Sequence, residues 1–186
     1  SLLFQCTPPP NVIYRNGAFK VLDVAAGTGL VGEHIRRYHK FNKASIYGVD
    51  LSEKSLEVAK AKKGVYCETI NCSSLKAETY RKYWKDNTFD ALTCAGSLVY
   101  ANNMQSLFNE WIRVTKPGAI IIVTHRTDYM RSNKYIFDRF VQNGQWRKVQ
   151  HIPNQLYMPN NPNYGQHITI DYWIAQNTKT CTNSKL

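Results

Sequence analysis

Gly27 and Gly29 close the stretch Ala25-Ala26-Gly27-Thr28-Gly29, with Asp23 four positions before the first glycine and Asp50 21 positions after the second. At a bend without side chains a ligand can reach backbone N–H groups. A helix that starts there also turns its positive end toward the ligand. A carboxylate about twenty residues further on, at the tip of the next strand, is placed to accept hydrogen bonds from ribose hydroxyls. Together these residues point to a nucleoside-bearing ligand. The structural alternative is that the glycines only shape a turn and Asp50 caps a helix.

The class of ligand is less constrained. Gly27-Thr28-Gly29-Leu30-Val31-Gly32 also satisfies GxGxxG, a pattern of dinucleotide binding. Asp23 opposes that reading, because a diphosphate disfavours a nearby anion, and a cationic ligand suits the carboxylate better.

Such a site needs strands that end along one edge, and the hydrophobic pattern supplies them. Residues 19–24 form a β-rich run before the bend, and Val31, His34, Ile35 and Tyr38 then repeat at helical spacing. Residues 45–50 predict a second strand, followed by Ser52 as N-cap and a helix through Leu56 and Ala59 that ends before Gly64. A third strand is predicted over 65–70, with Tyr80, Tyr83 and Trp84 on a short helix or turn after it. Residues 89–95 predict a fourth strand, and Leu107, Phe108, Trp111 and Ile112 mark a helix closing at Lys116-Pro117-Gly118. Residues 119–124 make a continuous β-branched run, as in a parallel sheet covered on both faces. Ile136, Phe137, Phe140 and Val141 give a fifth helical stripe ending near Asn143-Gly144. Two strands over 146–152 and 167–175, with no helix between them, should be antiparallel.

The alternation predicts an α/β, doubly wound, mostly parallel sheet with an antiparallel C-terminal hairpin. Ligands of such sheets bind outside the carboxyl ends of the strands. The site should therefore draw on residues 23–29, Asp50-Leu51, Asn71-Cys72 and Ala95-Gly96-Ser97. Residues 1–18, with Pro8-Pro9-Pro10, read as an extended lead-in. The missing initiator Met makes truncation there the expectation. Residues 19–175 read as the domain, and 176–186 as a polar tail expected to fray.

Composition narrows the classes. With 186 residues, 43% hydrophobic and 20% charged, one ordered domain is expected and wholesale disorder is excluded. The formal charge of +11 would attract polyanions. However, the basic residues fall in small groups such as Arg36-Arg37 and Lys60-Ala61-Lys62-Lys63, which suit solvated helix faces better than a nucleic-acid groove. Nucleic acid is a less favoured partner. No stretch approaches the roughly 18 apolar residues of a membrane span, so no membrane contact is expected. The five cysteines are odd in number and lack a CxxC pair, so reduced thiols and no metal site are expected. With no leader pattern, the expected location is intracellular, in the cytoplasm.

On four motifs the sequence resembles the class I S-adenosylmethionine-dependent methyltransferases: Val21-Leu22-Asp23-Val24-Ala25-Ala26-Gly27-Thr28-Gly29, Gly48-Val49-Asp50-Leu51-Ser52, Phe89-Asp90-Ala91 and Lys116-Pro117-Gly118. The likeness spans residues 19–175. More narrowly, Thr115-Lys116-Pro117-Gly118 and Thr124-His125-Arg126-Thr127 look like the methyltransferase-like 27 proteins. The resemblance implies a Rossmann-like, seven-stranded sheet and S-adenosylmethionine as cofactor. It also implies Asp23, Ala25, Gly27 and Gly29 around the methionine part, Asp50 on the ribose, Asn71 and Cys72 beside the adenine, and Ala95 and Ser97 at the methyl end. Asn71 stands where the family often has an acid, and the family's N-terminal helical segment has only about twenty residues to occupy here.

Methyl transfer from a sulfonium is an in-line displacement that needs alignment more than an acid or base. Two residues are candidates for a direct part. His125, after strand five, could take an acceptor's proton, and Tyr100, after strand four, could face a cation. The alternatives are a polar strand end and a packing residue. The stretch Cys94-Ala95-Gly96-Ser97-Leu98-Val99-Tyr100 lacks the Asn-Pro-Pro-Tyr type sequence of base-amino methylation, which leaves a small-molecule or protein acceptor. The rival readings are an NAD(P)-dependent oxidoreductase and a non-catalytic module that uses the basic surface to hold a partner.

Overall fold

The computed structural model describes residues 19–157, 161 and 167–180. Strand β1 (Lys20–Val24) is buried from Val21 to Val24, as a strand must be when it has neighbours on both sides and layers on both faces. Seven strands form one sheet, in the order β3 (Glu68–Asn71), β2 (Ser45–Asp50), β1, β4 (Phe89–Ala95), β5 (Thr115–Arg126), β7 (Thr169–Asn177), β6 (Trp146–Leu156). The first five are parallel to one another, and β7 is antiparallel to both β5 and β6. The order turns back between β1 and β4, which places the crevice of a doubly wound sheet above those two strands.

Helices α1 (Leu30–Arg37), α2 (Glu53–Ala61), α3 (Ala77–Tyr83), α4 (Met104–Val114) and α5 (Thr127–Gln142) connect the parallel strands and lead into the hairpin. Successive strand residues face opposite ways, so β1 feeds two cores. Leu22 and Val24 join the larger one, with Leu92, Ile121, Val123, Phe108, Trp111, Phe137, Phe140, Trp146 and Trp173. Val21 joins a smaller one with Ile35, Ala44 and Ile46, packed against Val31, Phe41 and Tyr66. Each large apolar side chain fully buried this way contributes on the order of 2 kcal/mol. Within the larger core the polar atoms of Tyr80 and Trp111 are matched: Trp111 Nε1 donates to the Tyr80 hydroxyl at 2.8 Å, which donates to the Ser74 carbonyl at 2.7 Å.

Several boundaries differ from the sequence pattern. Strand β3 begins at Glu68, because Val65 closes the turn after α2 and Tyr66 swings its ring beneath α1. Strand β5 begins at Thr115 and takes in Lys116-Pro117-Gly118. Thr115 pairs with Phe89, and a register shift before the Ala91–Ile120 rung absorbs the extra residues. Strand β6 continues to Leu156, with a register shift between Ile152 and Gln155 and a positive φ of 55° at Asn154. Gln176 and Asn177 belong to β7 instead of a tail. Asn177 is 1% exposed, and its amide donates to the Ile112 carbonyl and the Thr115 hydroxyl, both at 2.9 Å.

Cys67, Cys72 and Cys94 are free thiols, while Cys6, Cys181 and the Pro8-Pro9-Pro10 lead-in lie outside the described residues. No helix among the described residues is long and apolar enough to cross a membrane.

Candidate functional site

Register assembles the site. Val24 lies beside Val49 and Cys94, and Asp50 lies beside Asn71, so the chain leaves β1, β2, β3 and β4 along one edge. That edge collects Ala25, Gly27, Asp50, Leu51, Asn71, Cys72, Ala95 and Ser97, all of them expected there from the sequence.

The bend after β1 is built from left-handed residues. Ala25 has φ 55°, Gly27 φ 55° and Gly29 φ 82°, and Gly29 is also the N-cap of α1. Ala25 holds this conformation at a cost of about 1 kcal/mol, and the Ala26 N–H bond to the Val49 carbonyl at 3.0 Å helps keep it there. The two glycines serve different ends. A Cβ on Gly27 would meet nothing within 4 Å among the described residues, so the bend is open above it. A Cβ on Gly29 would lie 2.9 Å from the Tyr66 ring and 3.1 Å from Ala59 Cβ, so that glycine permits packing inward.

Asp50 faces the bend. One carboxylate oxygen accepts from the Gly27 N–H at 2.8 Å, and the other accepts from the Ser52 N–H at 2.8 Å. Ser52 in turn caps α2 by accepting from the Ser55 N–H. An ionised carboxylate has about four acceptor sites, so two remain for an incoming donor.

Beside it, the Asn71 side-chain N–H₂ donates to the Leu51 carbonyl at 2.8 Å and the Asp50 carbonyl at 3.2 Å. The amide nitrogen is thus committed to holding the tip of β2, and its oxygen is the atom left for a ligand. Leu51 is 71% exposed. Cys72 is half-buried near Asp50, and burial followed by that charge pushes its thiol up to about 11, so it stays neutral. At the end of β4, Gly96 (φ 72°) donates its N–H to the Thr124 carbonyl at 2.7 Å, and a short 3-10 helix (Leu98–Tyr100) follows.

Asp23 does not reach this edge, and the idea that its carboxylate meets a ligand's cation is corrected by its position. It shares a face with Val21, is 1% exposed, and sits beneath the bend. It accepts from the Tyr66 hydroxyl at 2.7 Å and from the Thr93 hydroxyl at 2.8 Å, with the Gly32 backbone N–H turned toward it. Burial raises its acid to about 6 against those hydrogen bonds, which lower it. Tyr66 is the residue that sequence reasoning missed. The only signal was the third glycine of GxGxxG, Gly32, whose Cβ would lie 2.5 Å from the Tyr66 ring.

His125 is also turned away. It is 6% exposed on the face that carries Ile121 and Val123, its ring tilted against that of Tyr129 with centroids 4.1 Å apart. Its Nδ1 accepts from the Arg126 N–H at 2.9 Å, while Nε2 is buried without a partner among the described residues. Burial lowers its pKa, Arg126 adds to this, and Asp128 opposes it. It is a strand-end packing residue. Tyr100, 75% exposed just beyond β4, stands at the rim of the edge.

The family described as "Methyltransferase domain" matches residues 22–123. Human methyltransferase-like protein 27 is 33% identical over 131 residues, 68% of this chain and 50% of that protein. Cycloartenol-C-24-methyltransferase 1 of Oryza sativa subsp. japonica is 32% identical over 104 residues, 56% of this chain and 29% of that protein. The chain therefore spans half or less of these curated relatives. Among solved structures, phosphoethanolamine N-methyltransferase 2 of Haemonchus contortus in complex with S-adenosyl-L-methionine superposes with a TM-score of 0.61 at 14% identity. The match covers 89% of this chain and 50% of that one, and it shows a shared fold.

Proposed function

The chain belongs to the class I S-adenosylmethionine-dependent methyltransferases, and on that premise we propose that the edge above β1, β2 and β4 binds S-adenosylmethionine for methyl transfer to an uncharged small molecule. One observation carries this reading: the Asp50 carboxylate faces the Gly27 N–H across a bend that, among the described residues, is open on its outer side. The two acceptor sites left on Asp50 match a pair of ribose hydroxyls. The exposed Leu51 and the neutral Cys72 offer an apolar rest for a purine, with the Asn71 oxygen available to its amino group. Ala25 and Gly27 present backbone along the methionine part, and Ala95 and Ser97 stand at the methyl end. Asp23 acts from beneath, by holding the bend.

When bound, the cofactor supplies a methyl group on a sulfonium, an electrophile strong enough that the chain's task is alignment and exclusion of water. In keeping with that, His125 does not offer a base to the edge, because it is buried and its Nδ1 already accepts from the Arg126 N–H. The rim of Val99 and Tyr100 is uncharged and exposed, which suits an apolar acceptor better than a peptide or nucleic acid. Relatives named as a sterol 24-C-methyltransferase and as a C-methyltransferase of ubiquinone/menaquinone biosynthesis support a small-molecule acceptor of that kind.

Calorimetric titration with S-adenosylhomocysteine, and separately with NADH, tests the reading. Binding of the first alone is expected. Binding of NADH alone would move the chain to the oxidoreductase reading, and binding of neither would favour a non-catalytic module.

A further inference from the structure

Three glycines on three segments converge on one ring. A Cβ on Gly29 would lie 2.9 Å from Tyr66, on Gly32 2.5 Å, and on Gly48 2.8 Å. The lead into α1, the first turn of α1 and the middle of β2 all give up side chains to seat this tyrosine, which stands in the turn between α2 and β3. A phenylalanine ring would fill the same space. The hydroxyl has a separate use, because it donates to the Asp23 carboxylate at 2.7 Å.

Asp23 is approached from every element packed on it. Tyr66 comes from the α2–β3 turn, the Thr93 hydroxyl and the Cys94 thiol from β4, the Gly32 N–H from α1, and the Asp50 charge from β2. None of these groups is a cation. The ionised acid accepts from Tyr66 and Thr93 at once, with the Gly32 N–H facing it. The protonated acid must itself donate, so a hydroxyl has to turn away or one bond is lost, and the backbone N–H of Gly32 cannot turn. Gly32 lies three residues beyond Gly29, so a change there reaches the bend through a single helical turn.

We propose that Tyr66 is a positioning residue for the cofactor bend, acting through Asp23: its hydroxyl keeps that acid ionised and so sets the pH range over which the bend holds a nucleoside ligand. The proposal rests on the cofactor reading given above. The acid's position near 6, reached by burial working against its hydrogen bonds, places this range next to neutrality. Removing one of those bonds leaves burial less opposed and moves the transition upward.

The test compares wild type with Tyr66→Phe, Thr93→Val and Asp23→Asn, using S-adenosylhomocysteine affinity by calorimetry from pH 5 to 8. It is paired with a carbon NMR titration of the Asp23 carboxyl in the unliganded protein. Wild-type affinity is expected to fall toward acid with a midpoint near 6. Tyr66→Phe keeps the ring, and therefore the packing. Its midpoint is expected to rise by roughly half a unit or more, with the gap between the two proteins narrowing toward pH 8. Thr93→Val should shift the midpoint the same way, and Asp23→Asn should flatten the profile. An unchanged midpoint with uniformly weaker affinity in Tyr66→Phe would reduce the tyrosine to a packing residue and overturn the proposal. An unchanged carboxyl titration would do the same without any ligand. A shifted carboxyl titration in a chain that binds no S-adenosylhomocysteine would instead sink the cofactor reading and leave the coupling between Tyr66 and Asp23 standing.

Discussion

The Asp50 carboxylate accepts the backbone N–H of Gly27 at 2.8 Å, which ties the tip of β2 to the bend after β1. A side chain that organises the bend and still has acceptor sites to spare is the pivot of the proposed site.

Replacing it should therefore remove two contributions together. Asp50→Ala is expected to weaken S-adenosylhomocysteine binding at least thirtyfold, because charge-assisted hydrogen bonds contribute on the order of 1.5 kcal/mol or more each. Calorimetry at neutral pH reads this directly, and an unchanged affinity would show that the site lies elsewhere.

The glycines of the bend should separate stability from binding. Gly29→Ala drives a methyl group to 2.9 Å from the Tyr66 ring at a φ of 82°, and should cost about 2 kcal/mol or more in urea unfolding. Gly27→Ala meets open space and should cost about 1 kcal/mol, while weakening the ligand more than its neighbour does for equal loss of stability. Equal destabilisation by the two changes would contradict the inward and outward roles assigned to them.

Asp23 should leave a mark on stability against pH. Its folded acid, raised to about 6, lies above the ordinary carboxyl value of 3.8. The protonated form therefore contributes stability that is complete below about 3.8 and lost as the pH rises through 6. Over that interval wild type should lose about 3 kcal/mol relative to Asp23→Asn. Urea unfolding at pH 4 and pH 7 measures the difference, and parallel profiles would rule it out.

Asn177 predicts how far the ordered chain must extend. Its buried amide bridges the end of α4 and the start of β5, so Asn177→Ala should cost about 2 kcal/mol by leaving the Thr115 hydroxyl short of a donor and the Ile112 carbonyl with the Lys179 ammonium alone in place of two donors. Thermal unfolding of this variant beside Gln176→Ala, whose side chain is less buried, checks the assignment.

Where the chain turns at each strand end was legible from sequence, because the residues that end parallel strands share an edge whatever fills the layers. Gly27, Asp50, Asn71 and Ala95 all arrive there. What escaped was orientation. Asp23 is one residue short of the edge, and the alternation of a strand sends its carboxylate under α1. The β-rich spelling of 65–70 hid Tyr66 inside an apparent strand, although its ring decides three glycine positions. Asn177 looked like tail because polar residues are usually exposed, yet a buried amide is stable when every bond it can make is made. The chemistry that made His125 a candidate base, beside its reading as a polar strand end, carried no information about which face of β5 it would occupy.

The bend is slung between two acids, Asp50 in front of Gly27 and Asp23 behind Gly32, with a strained alanine between the sheet and the first glycine. A loop tethered on both sides is already shaped when a nucleoside arrives, so docking requires little ordering of the backbone, and recognition there should behave as a rigid mould more than as a closing hand.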